Sequence, residues 1–78
     1  MKNNANINSR LIDLLEVLDA RATVTIFIEK EDGKNIKEST RKVYEFLSDN
    51  DFRTVYRKYE VIGLYCGLVT DILIKEEA

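Results

Sequence analysis

The feature of this chain that most constrains its fold is a change of hydrophobic period near residue 20. Before that point, four leucines recur at the spacing of one helix face: Leu11, Leu14, Leu15 and Leu18. After it, β-branched apolar residues alternate with other side chains: Val24, Ile26 and Ile28. We therefore predict an amphipathic helix over residues 9–19 and a strand over 22–30, with the leucine face packed on the sheet face of Ile26 and Ile28.

The start of this helix is predicted from capping residues. The Asn8 side-chain oxygen can accept hydrogen bonds from the free amides of the first turn. Ile7 before the cap and Ile12 after it would form a hydrophobic staple. Residues 1–8 are otherwise polar and rich in asparagine, so we expect a flexible tail there, followed by a single domain over 9–76.

A short polar turn, Glu31 to Gly33, predicts a β-hairpin in which two registers are open. A two-residue loop would set Ile36 opposite Glu29, whereas a three-residue loop would set it opposite Ile28. Only the second register puts Ile36 on the apolar face, and a glycine suits the left-handed third position of such a loop, so we predict the three-residue loop. The second strand, over 34–40, is polar and therefore expected at a sheet edge.

The middle of the chain carries two short helical patterns separated by the polar residues 48–51, which indicate a turn or cap. We predict helices near 42–48 and 51–58. The alternative is a strand through 53–62, because apolar residues also alternate there.

Two further strands are predicted over 59–66 and 68–76, with a turn at Cys66 and Gly67. Gly63 inside the first strand indicates a bulge or a close backbone approach. The second strand is apolar on both faces, as is typical of a central strand. The order of helix, hairpin, short helical connection and C-terminal hairpin predicts an α+β fold with a mostly antiparallel sheet and helices on one side.

Composition argues against several classes of function. The chain has no histidine, which is the commonest general base and metal ligand, and it has one cysteine. We therefore expect no catalytic residue, metal or cofactor, and hence no enzyme. Cys66 has no positive neighbour to activate its thiol and is predicted to be a small buried residue.

Charge and hydropathy bear on location and partners. The net charge of −2 gives no basic excess to hold a polyanion. A membrane helix needs about 20 consecutive apolar residues, and no apolar run in this sequence approaches that length. The sequence also has no apolar core of a signal peptide. A lone cysteine is not a disulfide set. We expect a cytoplasmic protein with no membrane partner.

The densest unusual feature lies between Phe52 and Tyr59, where aromatic side chains alternate with cations. On a helix, Arg53 and Arg57 would project together. With Tyr56 and Lys58 they form the predicted partner-binding surface for a phosphate, a nucleic acid or, preferably, a protein, because tyrosine and arginine are enriched at interfaces. In the plainer interpretation the cations face water and the apolar members are core: Phe52, Val55 and Tyr59.

The leucine-rich helix from Arg10 to Asp19, with the letters LIDLLEVLD, leads into a strand, an Asp-Gly turn, a Val43–Leu47 segment and a hairpin from Tyr59 to Lys75. This layout resembles small uncharacterised proteins encoded by phages and prophages of Gram-positive bacteria. The resemblance implies no activity and no site residue. It implies a bacterial host cell, in which such proteins often bind and block a host protein, some of them as anti-CRISPR or other anti-defence proteins.

We therefore predict a non-enzymatic accessory protein that binds a host protein. The alternatives are a nucleic-acid-binding module and an oligomer that sequesters a small ligand. We also predict a homodimer, because a short chain has a limited core and one helix layer leaves the second face of an apolar hairpin uncovered. The competing possibility is a monomer in which residues 42–59 cover that face.

Overall fold

The structure, a computed structural model, describes residues 9–76. Its elements in chain order are α1 (Leu11–Val17), β1 (Thr23–Glu29), β2 (Asn35–Lys42), α2 (Val43–Leu47), α3 (Asn50–Tyr56), β3 (Tyr59–Tyr65) and β4 (Thr70–Glu76). Three short helices pack on one face of a four-stranded sheet, which confirms the predicted α+β fold.

The sheet has the strand order β2-β1-β4-β3. The two hairpin pairs are antiparallel, as predicted, whereas β1 and β4 pair in parallel at the centre. The polar strand β2 lies at an edge and the apolar strand β4 lies inside the sheet, so both of these placements are confirmed. The parallel central pairing was not predicted, and it makes the sheet mixed.

The first hairpin has the predicted three-residue loop. The Lys30 amide donates to the Lys34 carbonyl at 2.8 Å, and Ile28 lies opposite Ile36. Gly33 has a φ of 84°, a left-handed conformation that glycine adopts without strain. Ile36 remains 49% exposed because β2 is an edge strand.

The core lies between the helices and the inner face of the sheet. The helices contribute Leu11, Leu15, Val43, Phe46 and Phe52, and the strands contribute Val24, Ile26, Ile28, Val61, Ile72 and Ile74. Leu14 and Leu18 are partly buried at its margin. The predicted packing of the leucine face on the sheet face that carries Ile26 and Ile28 is therefore confirmed, with β3 as the strand that α1 mainly contacts.

The helix α1 is shorter than the predicted 9–19, because the chain before it is extended. The Val61 amide donates to the Ser9 carbonyl at 2.9 Å, and Arg10 forms an isolated antiparallel bridge with Glu60. These contacts hold residues 9–10 against β3, so the helix begins at Leu11. The predicted cap at Asn8 and its staple partner Ile7 lie outside the described residues.

Residues 43–56 form two helices, which confirms the helical interpretation over the strand alternative. The Asp49 carboxylate caps α3 by accepting from the Phe52 amide at 3.1 Å, and the Arg41 guanidinium lies 3.0 Å from its other oxygen. The amide hydrogen bond, followed by that from Arg41, lowers the pKa of Asp49. Val55, expected in the core, is 60% exposed because α3 is short and turns only a narrow face inward.

The C-terminal hairpin corrects one prediction. Its first strand ends at Tyr65, and a loop over 66–69 leads into β4. Cys66 lies in this loop and is exposed, so its predicted burial was wrong. Among the described residues, no helix is both long and apolar enough to span a membrane.

Candidate binding surfaces

The side of the sheet opposite the helices is here called the open face. It carries the residues that alternate with the buried positions of the two central strands, among them Phe27 and Leu73, which are paired with each other. Within residues 9–76 no helix packs on it, because α2 and α3 share the same core as α1. The competing prediction, in which residues 42–59 cover this face, is therefore wrong.

A tyrosine ring lies across a glycine on this face. A Cβ atom added to Gly63 would lie 3.2 Å from Cε2 of Tyr65 and 3.3 Å from Cβ of Leu73. The strand register also shifts between Val61 and Gly63. The predicted bulge and the predicted close approach are thus both present. The missing side chain of Gly63 makes room for the Tyr65 ring, which is nevertheless 64% exposed.

Polar groups surround this apolar centre. A shallow cavity of about 280 Å³ is lined by Phe27, Asn35, Tyr65, Asp71 and Leu73. Glu29 and Lys75 form an ion pair at 3.8 Å. In the adjoining loop, Leu68 is fully exposed. An apolar centre within a polar rim is the usual composition of a protein–protein interface.

A second candidate surface lies on the helical side and is here called the arginine cleft. It has a volume of about 470 Å³ and is lined by Arg10, Ile12, Asp13, Asn50, Arg53, Thr54 and Arg57. Three guanidinium groups against one carboxylate give its lining a net charge of two positive units. The cleft is therefore a local positive site on a chain whose net charge is −2.

The three arginines of the cleft differ in the contacts that fix them. Arg53 donates from Nη1 to the Leu47 carbonyl at 3.3 Å, and its Nη2 lies 3.6 Å from Oε2 of Glu16. The Arg10 backbone is fixed where α1 begins, since its carbonyl accepts from the Leu14 amide at 3.1 Å. Arg57 is exposed, and its side chain makes no hydrogen bond or ion pair with any other residue of 9–76.

The four residues predicted to bind a partner do not form one surface. Arg53 and Arg57 meet in the cleft, whereas Lys58 is exposed but does not line it. Tyr56 is partly buried, with its ring centroid 4.8 Å from those of Phe52 and Tyr59. Burial raises the pKa of the Tyr56 hydroxyl, and the nearby Glu38 carboxylate raises it further.

Sequence reasoning missed Arg10 as a member of this site. It lies 43 positions before Arg53 in the chain, and only the packing of α1 beside α3 brings the two together. No local pattern in the sequence could have signalled that contact. The predicted role of the four residues in partner binding stays a prediction.

Two observations limit the chemistry that can be assigned. In the part of the chain that the structure describes, no group of three or more cysteine, aspartate or glutamate side chains could hold a metal ion. No protein-family model matches the chain, and comparisons with curated proteins and solved structures give no match. The resemblance to phage-encoded proteins stays a prediction.

Proposed function

We propose that this chain is a non-enzymatic binding protein that docks another protein on its open face. In the same proposal it is a phage or prophage accessory protein that acts on a host protein in the bacterial cytoplasm. The observation that carries the docking proposal is the accessible apolar centre formed by Phe27, Leu73 and Tyr65. The phage context rests on the sequence resemblance alone.

The size of the open face supports docking. Four strands at about 4.8 Å spacing and seven residues at about 3.3 Å rise give a footprint of about 19 by 23 Å, or about 440 Å². The apolar part of this footprint is its centre at Phe27, Tyr65 and Leu73, with a polar rim around it, as is usual for an interface. A standard interface needs about 800 Å² per partner, so the partner would also cover the 66–69 loop with its exposed Leu68.

The Tyr65 ring is suited to be an anchor for the partner. Its ring lies over Gly63, where an added Cβ would be 3.2 Å from Cε2, and this placement reduces the side-chain entropy that docking would cost. Tyrosine is also among the residues that contribute most to binding energy at interfaces.

Site-specific photo-cross-linking in a Gram-positive bacterial host tests the proposal. A benzophenone amino acid would replace Tyr65 in one variant and Tyr44 in a matched control. Tyr44 is also an exposed tyrosine, 51% accessible, but it lies on α2 on the opposite side of the sheet. We expect the Tyr65 variant to form an adduct with one host protein and the Tyr44 variant to form none.

Two outcomes would contradict this expectation. Equal adduct yields at the two positions would mean that the open face is not the docking surface. An adduct formed only with a second copy of the chain would replace the host-protein proposal by the predicted homodimer.

A further inference from the structure

The arginine cleft contains one arginine, Arg57, whose side chain makes no hydrogen bond or ion pair within residues 9–76. Arg53 on α3 and Arg57 at its C-cap lie four residues apart, a spacing at which like charges repel. Only one of these two, Arg53, has a carboxylate partner within residues 9–76, namely Glu16. No buried group depends on Arg57, which is exposed. An anion bound in the cleft would remove the repulsion and give Arg57 a partner.

The donors of the cleft suit a phosphate group. A guanidinium presents a planar fork of N–H groups that can bind two phosphate oxygens at once. Arg53 is already oriented by the Leu47 carbonyl and Glu16. Asn50 and Thr54 line the cleft from the same helix and add an amide and a hydroxyl donor.

The volume of the cleft and its other lining residues indicate a ligand larger than inorganic phosphate. A volume of about 470 Å³ lies in the range of small-molecule sites. The Asp13 carboxylate can accept hydrogen bonds from hydroxyl or amino groups, and Ile12 offers an apolar surface for a ring. Asp13 would repel a nearby second phosphate, and the negative net charge of the chain disfavours a long polyanion.

We infer that the arginine cleft is a binding site for a phosphate monoester of nucleotide size that carries hydroxyl or amino groups. The cleft lies among α1 and α3 on the helical side of the sheet. The inference is therefore independent of the protein-docking function proposed for the open face.

Amide NMR titrations of the full chain test this inference with adenosine monophosphate, adenosine, inorganic phosphate and a single-stranded 12-nucleotide DNA as probes. We expect adenosine monophosphate to shift the amides of Arg53, Thr54 and Arg57. Inorganic phosphate should shift the same amides with weaker affinity, because it cannot use Asp13 or Ile12, and adenosine should leave them unshifted.

The Arg57→Gln variant should bind adenosine monophosphate about tenfold more weakly or worse, because a charge-assisted hydrogen bond is lost. Its own amide spectrum reports whether it is folded, as expected for an exposed side chain without partners in residues 9–76. Lys58→Gln is the matched control, because it removes the same charge from the next residue, which does not line the cleft. The control should bind as the unchanged protein does.

Four results would overturn the inference. The first is the absence of shifts with adenosine monophosphate and phosphate at millimolar concentrations. The second is equal weakening by Arg57→Gln and Lys58→Gln, which would indicate general electrostatic attraction. The third is binding of adenosine or phosphate as tight as that of adenosine monophosphate. The fourth is tighter binding of the oligonucleotide at the same amides, which would make the cleft a nucleic-acid site.

Discussion

Replacing Leu15 by alanine is the sharpest test of the described core. Leu15 is fully buried on α1, in the cluster that joins the helices to Ile26 and Ile72. Removing the equivalent of three methylene groups costs about 2.4 kcal/mol in lost burial. A residual cavity of roughly 60 Å³ would add about 1.4 kcal/mol, and partial collapse of the short helix reduces this addition. We therefore expect a loss of about 2–4 kcal/mol in the free energy of unfolding.

Urea unfolding followed by circular dichroism measures this loss. Val17→Ala is the matched control, because Val17 lies on the same helix and is 78% exposed. It should change the free energy of unfolding by less than about 0.5 kcal/mol. A loss below about 0.5 kcal/mol for Leu15→Ala, or an equal loss for both variants, would refute the packing of α1 described above. If Leu15→Ala does not fold, Ile26→Val should show a loss of about 0.5–1.5 kcal/mol.

Four further outcomes are expected. Gly33→Val should destabilise the chain by about 1–3 kcal/mol in urea unfolding, because its φ of 84° strains a β-branched residue; no loss would contradict the left-handed conformation. Gly63→Ala should also lower the free energy of unfolding, because the new Cβ would lie 3.2 Å from the Tyr65 ring. Gly67→Ala, where the nearest atom would lie at 3.6 Å, should lower it less, and the reverse order would contradict the position of the ring. The pKa of Asp49 lies below its ordinary value of 3.8. The stabilisation by its charged carboxylate is therefore complete above pH 3.8 and is lost as the pH falls through the lowered pKa. The stability difference between the wild type and Asp49→Asn should therefore shrink below about pH 4, and a constant difference in urea titrations would count against the cap. In the absence of the host protein, light scattering should give a mass near twice 9.1 kDa, because two copies would cover each other's open face, and Leu73→Lys should return the mass to 9.1 kDa; a monomeric wild type would disprove the dimer.

Short-range patterns predicted much of the fold. The hairpin register followed from a single condition, that Ile36 share a face with Ile28, because a shift of one residue would reverse every side chain of the strand. A turn or cap was predicted within residues 48–51, and Asp49 is the residue that caps α3 there. These predictions succeeded because turns, caps and alternation are decided within a few residues.

Apart from Cys66, which lies in a longer turn than predicted, the failures concern contacts with other segments of the chain. The helix α1 was predicted to begin too early because its first residues pair with β3 at Glu60, far along the chain. The burial of Val55 was wrong because helical spacing identifies a face but not how much of it the neighbours cover. For the candidate site, sequence supplied Arg53 and Arg57, whereas Arg10 needed the tertiary packing of two helices.

The sheet order explains why the chain presents two separate surfaces. The chain leaves β2 at one edge and must cross the sheet to reach β3 at the other, and α2 and α3 make this crossing. They cross on the side of α1, where the β-branched residues of the central strands require cover. The crossing leaves the opposite face open and sets α3 beside α1, which forms the arginine cleft. Because the two surfaces lie on opposite sides of the sheet, a substitution at one should leave binding at the other unchanged. Cross-linking through Tyr65 should therefore persist in Arg57→Gln, and its loss would mean that the two surfaces are coupled.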